Sequence, residues 1–296
     1  MEKQEKLLLI VNLHAGMMKI KAALPDIIDL YCRQNQDVTV YTTSGKGDAT
    51  RICRERGMLF DAVVCCGGDG TLNEVLCGLL PLENPPMVGY IPAGTTNDFA
   101  SSMKIPSNLL EAARRAVCGT PTPIDVGQFN SRYFSYVASF GAFTESSYAT
   151  PQYVKNALGH LAYIIEGMKD LHTIHPYQMK ITVENQTWED EYLFGCVSNS
   201  TSIGGIVKLS ESAVDMRDGK FEVMLIKSPK NAAETQKIIL GILTHQFDGE
   251  VIKFFPTSEI AFYSKNQLPW TLDGEYEAGS TEIQIRNLHE AIQMRI

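Results

Sequence analysis

Two small-residue turns carry the acidic and hydroxyl groups best placed for chemistry. Gly67-Gly68-Asp69-Gly70-Thr71 follows the apolar run Ala62-Val63-Val64-Cys65-Cys66, and Pro92-Ala93-Gly94-Thr95-Thr96-Asn97-Asp98 follows Met87 to Ile91. Glycines let backbone N–H groups approach phosphate oxygens, and a helix N-terminus behind the turn adds partial positive charge. An aspartate inside such a turn repels phosphate unless a divalent cation lies between them, which points to a magnesium-bound nucleotide. A lone glycine turn reads better as a tight strand-to-helix connection. Two of them at successive strand ends match the carboxyl edge of a parallel sheet, where ligands bind.

Phosphoryl transfer needs a carboxylate linked to metal, and an alcohol acceptor needs a base. Asp69, Asp98, Asp125 and Glu275 are the candidates, each beside a glycine or turn. The structural alternatives are a helix cap for Asp98, a domain-boundary turn for Asp125 and a solvated charge beside Asp273-Gly274 for Glu275. Asp215-Met216-Arg217-Asp218-Gly219-Lys220 offers oxygen ligands to a hard cation, or simply an Asp-Gly turn. His172 and His175, three apart near Pro176 with no cysteine nearby, are not read as a zinc site. His14 reads as an exposed loop residue within reach of phosphate. Tyr148, Tyr153, Tyr163 and Met168 fit an acyl-chain cleft or ordinary core packing.

These groups need elements to hold them. Lys6 to Val11 reads as a first strand, Ile20 to Gln34 as a helix containing Pro25, and Val38 to Tyr41 as a second strand. Asp48 is placed to cap a helix through Ile52 and Cys53. After the first glycine turn, Leu72, Val75, Leu76, Leu79 and Leu80 share one helix face, and Thr71 with Glu74 matches a capping box. Ser107 is the expected cap of a helix to Val117. Strand and helix alternate to about residue 120, the pattern of a doubly wound α/β domain. Beyond Pro121 and Pro123 most runs are strand-like, with hairpin-type turns at Asp218-Gly219 and Asp273-Gly274. Two helices interrupt them, at about Gln152 to Leu171 and from the Asn231/Glu234 pair to His245. The reading is an α/β domain over 1–124 and a mostly antiparallel β-sandwich domain over 125–296.

At 296 residues the chain has room for two domains, and its net charge of −8 lacks the basic stripe of a nucleic-acid binder. No apolar run approaches a membrane span or a signal h-region. Seven cysteines without CxxC spacing point to reduced structural thiols in the cytoplasm.

Gly67-Gly68-Asp69-Gly70-Thr71-Leu72-Asn73-Glu74-Val75, with Gly94-Thr95-Thr96-Asn97-Asp98-Phe99-Ala100, resembles the bacterial soluble diacylglycerol kinases and related lipid kinases. Ile124-Asp125-Val126-Gly127, Tyr148-Ala149-Thr150-Pro151, Asp218-Gly219 and Leu272-Asp273-Gly274-Glu275-Tyr276 extend the likeness over nearly the whole chain. The first string alone also occurs in NAD kinases and, nearly, in phosphofructokinases; the second selects the lipid kinases. The resemblance implies an active-site cleft between a nucleotide domain and a β-sandwich. It implies that Asn12, Leu13, His14, Ala15, Gly16, Thr43, Gly67 to Leu72 and Thr95 hold ATP, with Glu74, Gly94 and Asn97 completing the set. Asp69 and Asp98 would lie near phosphates and magnesium, and Glu275 would be the general base. A second, structural magnesium would use the Asp218 carboxylate and the carbonyls of Asp215 and Lys220, with Asp125 linked to it through water. Two departures stand out: Leu13 and Met17 occupy positions where the family often has proline and a basic residue, leaving Lys19 as the first basic side chain. Arg217 stands where the metal motif often has aspartate.

The expected activity is transfer of phosphate from magnesium-ATP to a membrane lipid hydroxyl, diacylglycerol first, with phosphatidylglycerol, a sphingoid base or NAD as other acceptors. A silent lipid- or nucleotide-binding regulator is the rival from another class. The expected protein is cytoplasmic and visits the membrane transiently, with Lys19, Lys21, Arg33, Arg51 and Arg54 facing anionic lipid. No nucleic acid is expected as partner, and a homodimer is compatible with the reading.

Overall fold

The computed structural model describes residues 4–16, 20–141, 176–200, 202–203, 207–208 and 215–296. Met17, Lys19, the segment from Tyr148 to Pro151, the expected helix from Gln152 to Leu171, Tyr153, Tyr163, Met168, His172 and His175 lie outside the described residues.

Two units are present, one of residues 1–126 with 288–296 and one of residues 127–287. In the first unit the elements are β1 (Glu5–Val11), α1 (Ile20–Arg33), β2 (Gln36–Thr42), α2 (Asp48–Arg56), β3 (Ala62–Gly67), α3 (Asp69–Leu79), β4 (Met87–Pro92), α4 (Asp98–Ser102), α5 (Leu109–Cys118) and the start of β5 (Pro121–Phe129). Leu7 to Val11 of β1 and every residue of β3 are buried, as both faces of a parallel sheet covered by helices require. β2, β1, β3 and β4 pair in parallel in that order. Right-handed crossovers then put α1 on one face and α2 and α3 on the other. In accord with this, α1 packs with α5 and α2 with α3.

Each helix starts for a local reason, and three starts differ from the sequence expectation. The N-cap of α5 is Asn108 rather than Ser107; its Oδ1 accepts from the amides of Leu110 and Glu111 at 3.1 and 3.0 Å. Gly47 precedes α2, and Asp48 is already its first residue. Gly68 precedes α3, so Thr71 is the third residue of that helix and forms no capping box with Glu74. The buried face of α3 is Leu72, Val75, Leu76 and Leu79, with Leu80 as C-cap.

In the second unit lie β6 (Arg132–Phe134), β7 (Val137–Gly141), β8 (Tyr177–Val183), β9 (Gln186–Ser198), β10 (Ser202–Ile203), β11 (Val207–Lys208), β12 (Phe221–Lys227) and α6 (Ala232–Thr244). β13 (Ile252–Thr257), β14 (Glu259–Ser264), β15 (Trp270–Leu272), β16 (Glu275–Glu277) and β17 (Glu282–Arg295) follow. Pairing is antiparallel along β16-β15-β7-β9-β8-β14-β17, and β12 bridges β9 and β13. This is an antiparallel β-sandwich; β12 is buried almost throughout, whereas the start of β17 alternates inward and outward. Ile283 and Ile285 of β17 are buried, whereas Glu282, Gln284 and Arg286 are exposed. The Trp270 ring sits 4.9 to 5.2 Å from the rings of Phe140, Phe262 and Phe129 at the core. Asn231 caps α6 as expected, its Oδ1 accepting from the Glu234 amide at 3.0 Å.

The expected boundary after residue 124 needs one correction. β17 begins in the sandwich and ends in the first unit, where Met294 pairs in parallel with Val88 of β4. Ile292 and Met294 are buried there, and Ile296 exchanges backbone hydrogen bonds with Thr120.

Candidate active site

In the first unit the loops after β1, β3 and β4 leave the same sheet edge, because Val11 pairs with Cys66 and Gly67 with Pro92. They touch through glycine. A Cβ on Gly16 (φ +52°) would lie 2.5 Å from the Ala93 carbonyl, and one on Gly94 would lie 2.6 Å from the Gly68 Cα. Side chains stitch the loops together. Asn12 Nδ2 donates to Thr71 Oγ1 at 3.1 Å while its Oδ1 accepts from the His14 amide at 3.0 Å. Asn97, held at φ +52°, closes the third loop: its Oδ1 accepts from the Gly94 amide at 2.9 Å and its Nδ2 donates to the Gly94 carbonyl at 3.0 Å. The α3 N-terminus beneath them carries no side-chain cap. Its amides and dipole present an anion site flanked by the exposed Thr95.

Asp69, the first residue of α3, meets protein donors. It is buried, and its Oδ2 accepts from the Asp98 amide at 2.9 Å while Oδ1 takes the Tyr90 hydroxyl at 3.4 Å. The carboxylate therefore ties the second loop to the third and stabilises the start of α4. Asp98 is the first residue of α4. Glu74 also works on protein: its oxygens accept from the amides of Gly47 at 2.7 Å and Ala49 at 3.1 Å, capping α2 from outside. That fixes the loop from Thr43 to Gly47, which Asp48 closes by accepting from the amide and hydroxyl of Ser44. The Thr43 amide itself donates to the Val11 carbonyl.

In the second unit Glu275 opens β16, paired with Leu272 across a two-residue turn. The turn residues Asp273 and Gly274 have φ of +50° and +82°, the type I′ geometry that suits a hairpin. Asp273 is buried and accepts four hydrogen bonds from residues 135–137. Burial pushes its carboxyl up, against four donors that favour the ionised form.

The turn at Asp215 to Lys220 closes on itself. Asp218 Oδ1 accepts from the Lys220 amide at 2.9 Å, and the Asp215 carbonyl accepts from the Asp218 amide at 3.3 Å. Asn287 Nδ2 donates to the Lys220 carbonyl at 3.1 Å. Beside this turn Glu222 is buried, its Oε2 meets no donor, and burial with the charges of Asp218 and Asp215 pushes its carboxyl up to about 8. A buried oxygen without a donor beside carboxylate and carbonyl oxygens has the donor chemistry of a hard cation site. Among the described residues no three Asp, Glu, His or Cys side chains gather closely enough to hold a metal, so such an ion would draw on carbonyl and water oxygens.

Comparison with known proteins gives the family. Residues 6–129 match the diacylglycerol kinase catalytic domain, and residues 140–294 match the YegS C-terminal NAD kinase beta sandwich-like domain. The chain is 32% identical over 288 residues to the diacylglycerol kinase of Bacillus subtilis (strain 168), covering 97% of this chain and 94% of that one. The diacylglycerol kinase of Staphylococcus haemolyticus (strain JCSC1435) is 32% identical over 294 residues, covering 97% and 86%. A crystal structure of a diacylglycerol kinase from Bacillus anthracis str. Sterne superposes with a TM-score of 0.76 at 26% identity, covering 100% of this chain and 98% of that one. The chain belongs to the diacylglycerol kinase family.

In this lipid kinase Asp125 is fully buried on β5 rather than in a turn. Its Oδ1 accepts from the Glu290 amide at 2.8 Å and lies 3.0 Å from His289 Nδ1. All seven cysteines are free thiols, and burial pushes those of Cys53 and Cys66 up to about 12. The kinase thus brings Asn12, Gly16, Gly67 to Thr71 and Gly94 to Asp98 together in its first unit. Glu275, Asp215, Asp218 and Lys220 belong to the second. Sequence reasoning missed Tyr90, Asp273, Glu222 and His289. The Asp-Gly pair marked Asp273 as a turn residue; nothing local showed where its carboxylate points.

Proposed function

We propose that the kinase transfers the γ-phosphate of ATP to the hydroxyl of diacylglycerol, forming phosphatidate. One observation carries the nucleotide half of this reading. Three glycine-bearing loops approach so closely that Cβ atoms at Gly16 and Gly94 would meet backbone, over an uncapped helix N-terminus. The acceptor half is supported by the names of the curated relatives.

The α3 amides and dipole hold phosphate oxygens, and Asn12 and Asn97 keep the loops at the spacing those oxygens need. Asp69 fixes the third loop and Asp98 begins α4 beside it. Glu275 accepts the proton as the lipid oxygen attacks the γ-phosphorus in line. The bond from γ-phosphorus to the bridging oxygen breaks, and ADP leaves with the electron pair. Magnesium, when bound, neutralises charge on the phosphate oxygens. Asp218, with the carbonyls of Asp215 and Lys220, would hold a second ion; Glu222 beside them supports the fit. Among the described residues no helix is long and apolar enough to cross a membrane. The enzyme reaches its lipid by transient peripheral contact with the inner membrane face. Of the basic residues proposed for that contact, Lys21 and Arg54 are exposed, whereas Arg33 pairs with Asp29 and Arg51 with Asp48 and Glu55.

The match of residues 140–294 to an NAD kinase-like sandwich favours NAD as a second acceptor to test. Labelled ATP with magnesium, offered diacylglycerol, phosphatidylglycerol, sphingoid base and NAD, decides. Labelled phosphatidate, reduced about 10²–10⁴-fold by Glu275→Gln, is the expected result. Transfer to NAD alone overturns the lipid acceptor. ATP binding with no transfer to any acceptor overturns the kinase reading in favour of a regulator.

A further inference from the structure

Glu275 stands on a weak element. β16 has three residues, lies at the end of the strand order and pairs, among the described residues, with β15 alone. Short edge strands fray unless something outside the ladder holds them. Arg132 pairs with Glu277 at the far end of β16. At the near end, two residues before Glu275, the anchor is Asp273. Its Oδ2 accepts from the Ser135 amide at 2.6 Å and the Ser135 hydroxyl at 2.8 Å, and its Oδ1 accepts from the amides of Tyr136 and Val137, both at 3.0 Å. In return the Asp273 amide donates to the Val137 carbonyl at 2.9 Å.

These groups of residues 135–137 all donate to the carboxylate, and only an ionised acid offers acceptors alone. The backbone does not explain the choice, because asparagine before glycine suits a type I′ turn at least as well as aspartate. What aspartate adds is the clamp. We propose that Asp273 is a positioning residue of the phosphoryl transfer: by pinning the turn to residues 135–137 it fixes where the Glu275 carboxylate stands. The inference rests on Glu275 being the general base.

Asp273→Asn keeps the turn and puts an NH₂ group against two of the four donors. Released by about 1 Å, the base loses on the order of 10²-fold in kcat, while KM for nucleotide and for diacylglycerol stays within about threefold. Kinetics are read on folded protein, well below its melting temperature, in wild-type and Glu275→Gln backgrounds. A residue acting through Glu275 lowers kcat in the first background and adds nothing in the second. A merely structural residue lowers both alike. Wild-type kcat in Asp273→Asn, or equal losses on both backgrounds, overturns the proposal. If Asp273→Asn does not fold, Ser135→Ala removes one donor and enters the same cycle, where a severalfold loss confined to the Glu275 background is expected and wild-type kcat overturns it. Glu275→Gln at wild-type kcat instead overturns the base assignment, and with it the inference. Glu275→Gln inactive with Asp273→Asn fully active overturns the positioning role alone.

Discussion

A carboxylate next to a bound phosphate weakens binding unless protein donors or a cation meet its charge. Asp69 opens α3 and Glu74 lies further along it, and both meet protein donors: Asp69 the Asp98 amide and the Tyr90 hydroxyl, Glu74 the amides of Gly47 and Ala49. Glu74 is thus a helix cap delivered from a neighbouring helix. Its loss leaves the amides of Gly47, just before α2, and Ala49, within it, unmet and frees the loop from Thr43. We expect Glu74→Ala to destabilise the first unit by about 1–2 kcal/mol, read as a lower urea midpoint with unchanged slope. An unchanged midpoint would show that water replaces the cap freely. The spacing of Thr71 and Glu74 was legible as a capping pattern, but a pattern four residues long does not say which helix it caps.

At the level of elements, the decisive feature is how near β3 and β4 deliver their loops. Gly94 and Gly68 meet backbone to backbone, so no flexible side chain can yield to a methyl group. Overpacking of this kind costs about 1–3 kcal/mol. Here it falls on the distance between two phosphate-facing loops. Gly94→Ala is therefore expected to weaken nucleotide binding about tenfold or more, one decade for each ~1.4 kcal/mol, with a modest fall in melting temperature. Gly45→Ala is the control, since its Cβ has open space and its φ is ordinary; calorimetric titration should return the parent affinity. Equal affinities for the two variants would mean that the loops do not need their close approach. The glycines themselves were visible in the sequence, as were the strands before them. Their mutual contact was not, because it depends on strand order.

The last strand ends in the first unit. Residues 288–296 add Ile292 and Met294 to the core of the first unit, pair Arg295 with Glu5 and supply the Glu290 amide to Asp125. Burying two such side chains stabilises by about 3–6 kcal/mol, a large part of the ~5–15 kcal/mol that holds a typical domain. Truncation after Asn287 should leave the first unit largely unfolded at ambient temperature, seen as loss of nucleotide binding and rapid proteolysis within residues 4–126. Nucleotide affinity equal to that of the full chain would show the returning strand to be dispensable.

Periodic and local features were legible in the amino-acid sequence. It carried the alternation of strand and helix to about residue 120, the shift to strands beyond it, the glycine turns, the α3 face and the hairpin at Asp273-Gly274. Each is a preference of a few neighbouring residues, so its pattern is written in adjacent positions. Which donors each carboxylate meets, and which unit owns the chain's last strand, is set by the fold. Asp273 finds its four donors 136 to 138 residues earlier, and Asp125 finds the Glu290 amide 165 residues later. A hydrogen bond over such a separation leaves no mark on local sequence, because its geometry is set by how strands are ordered and not by the residues beside it.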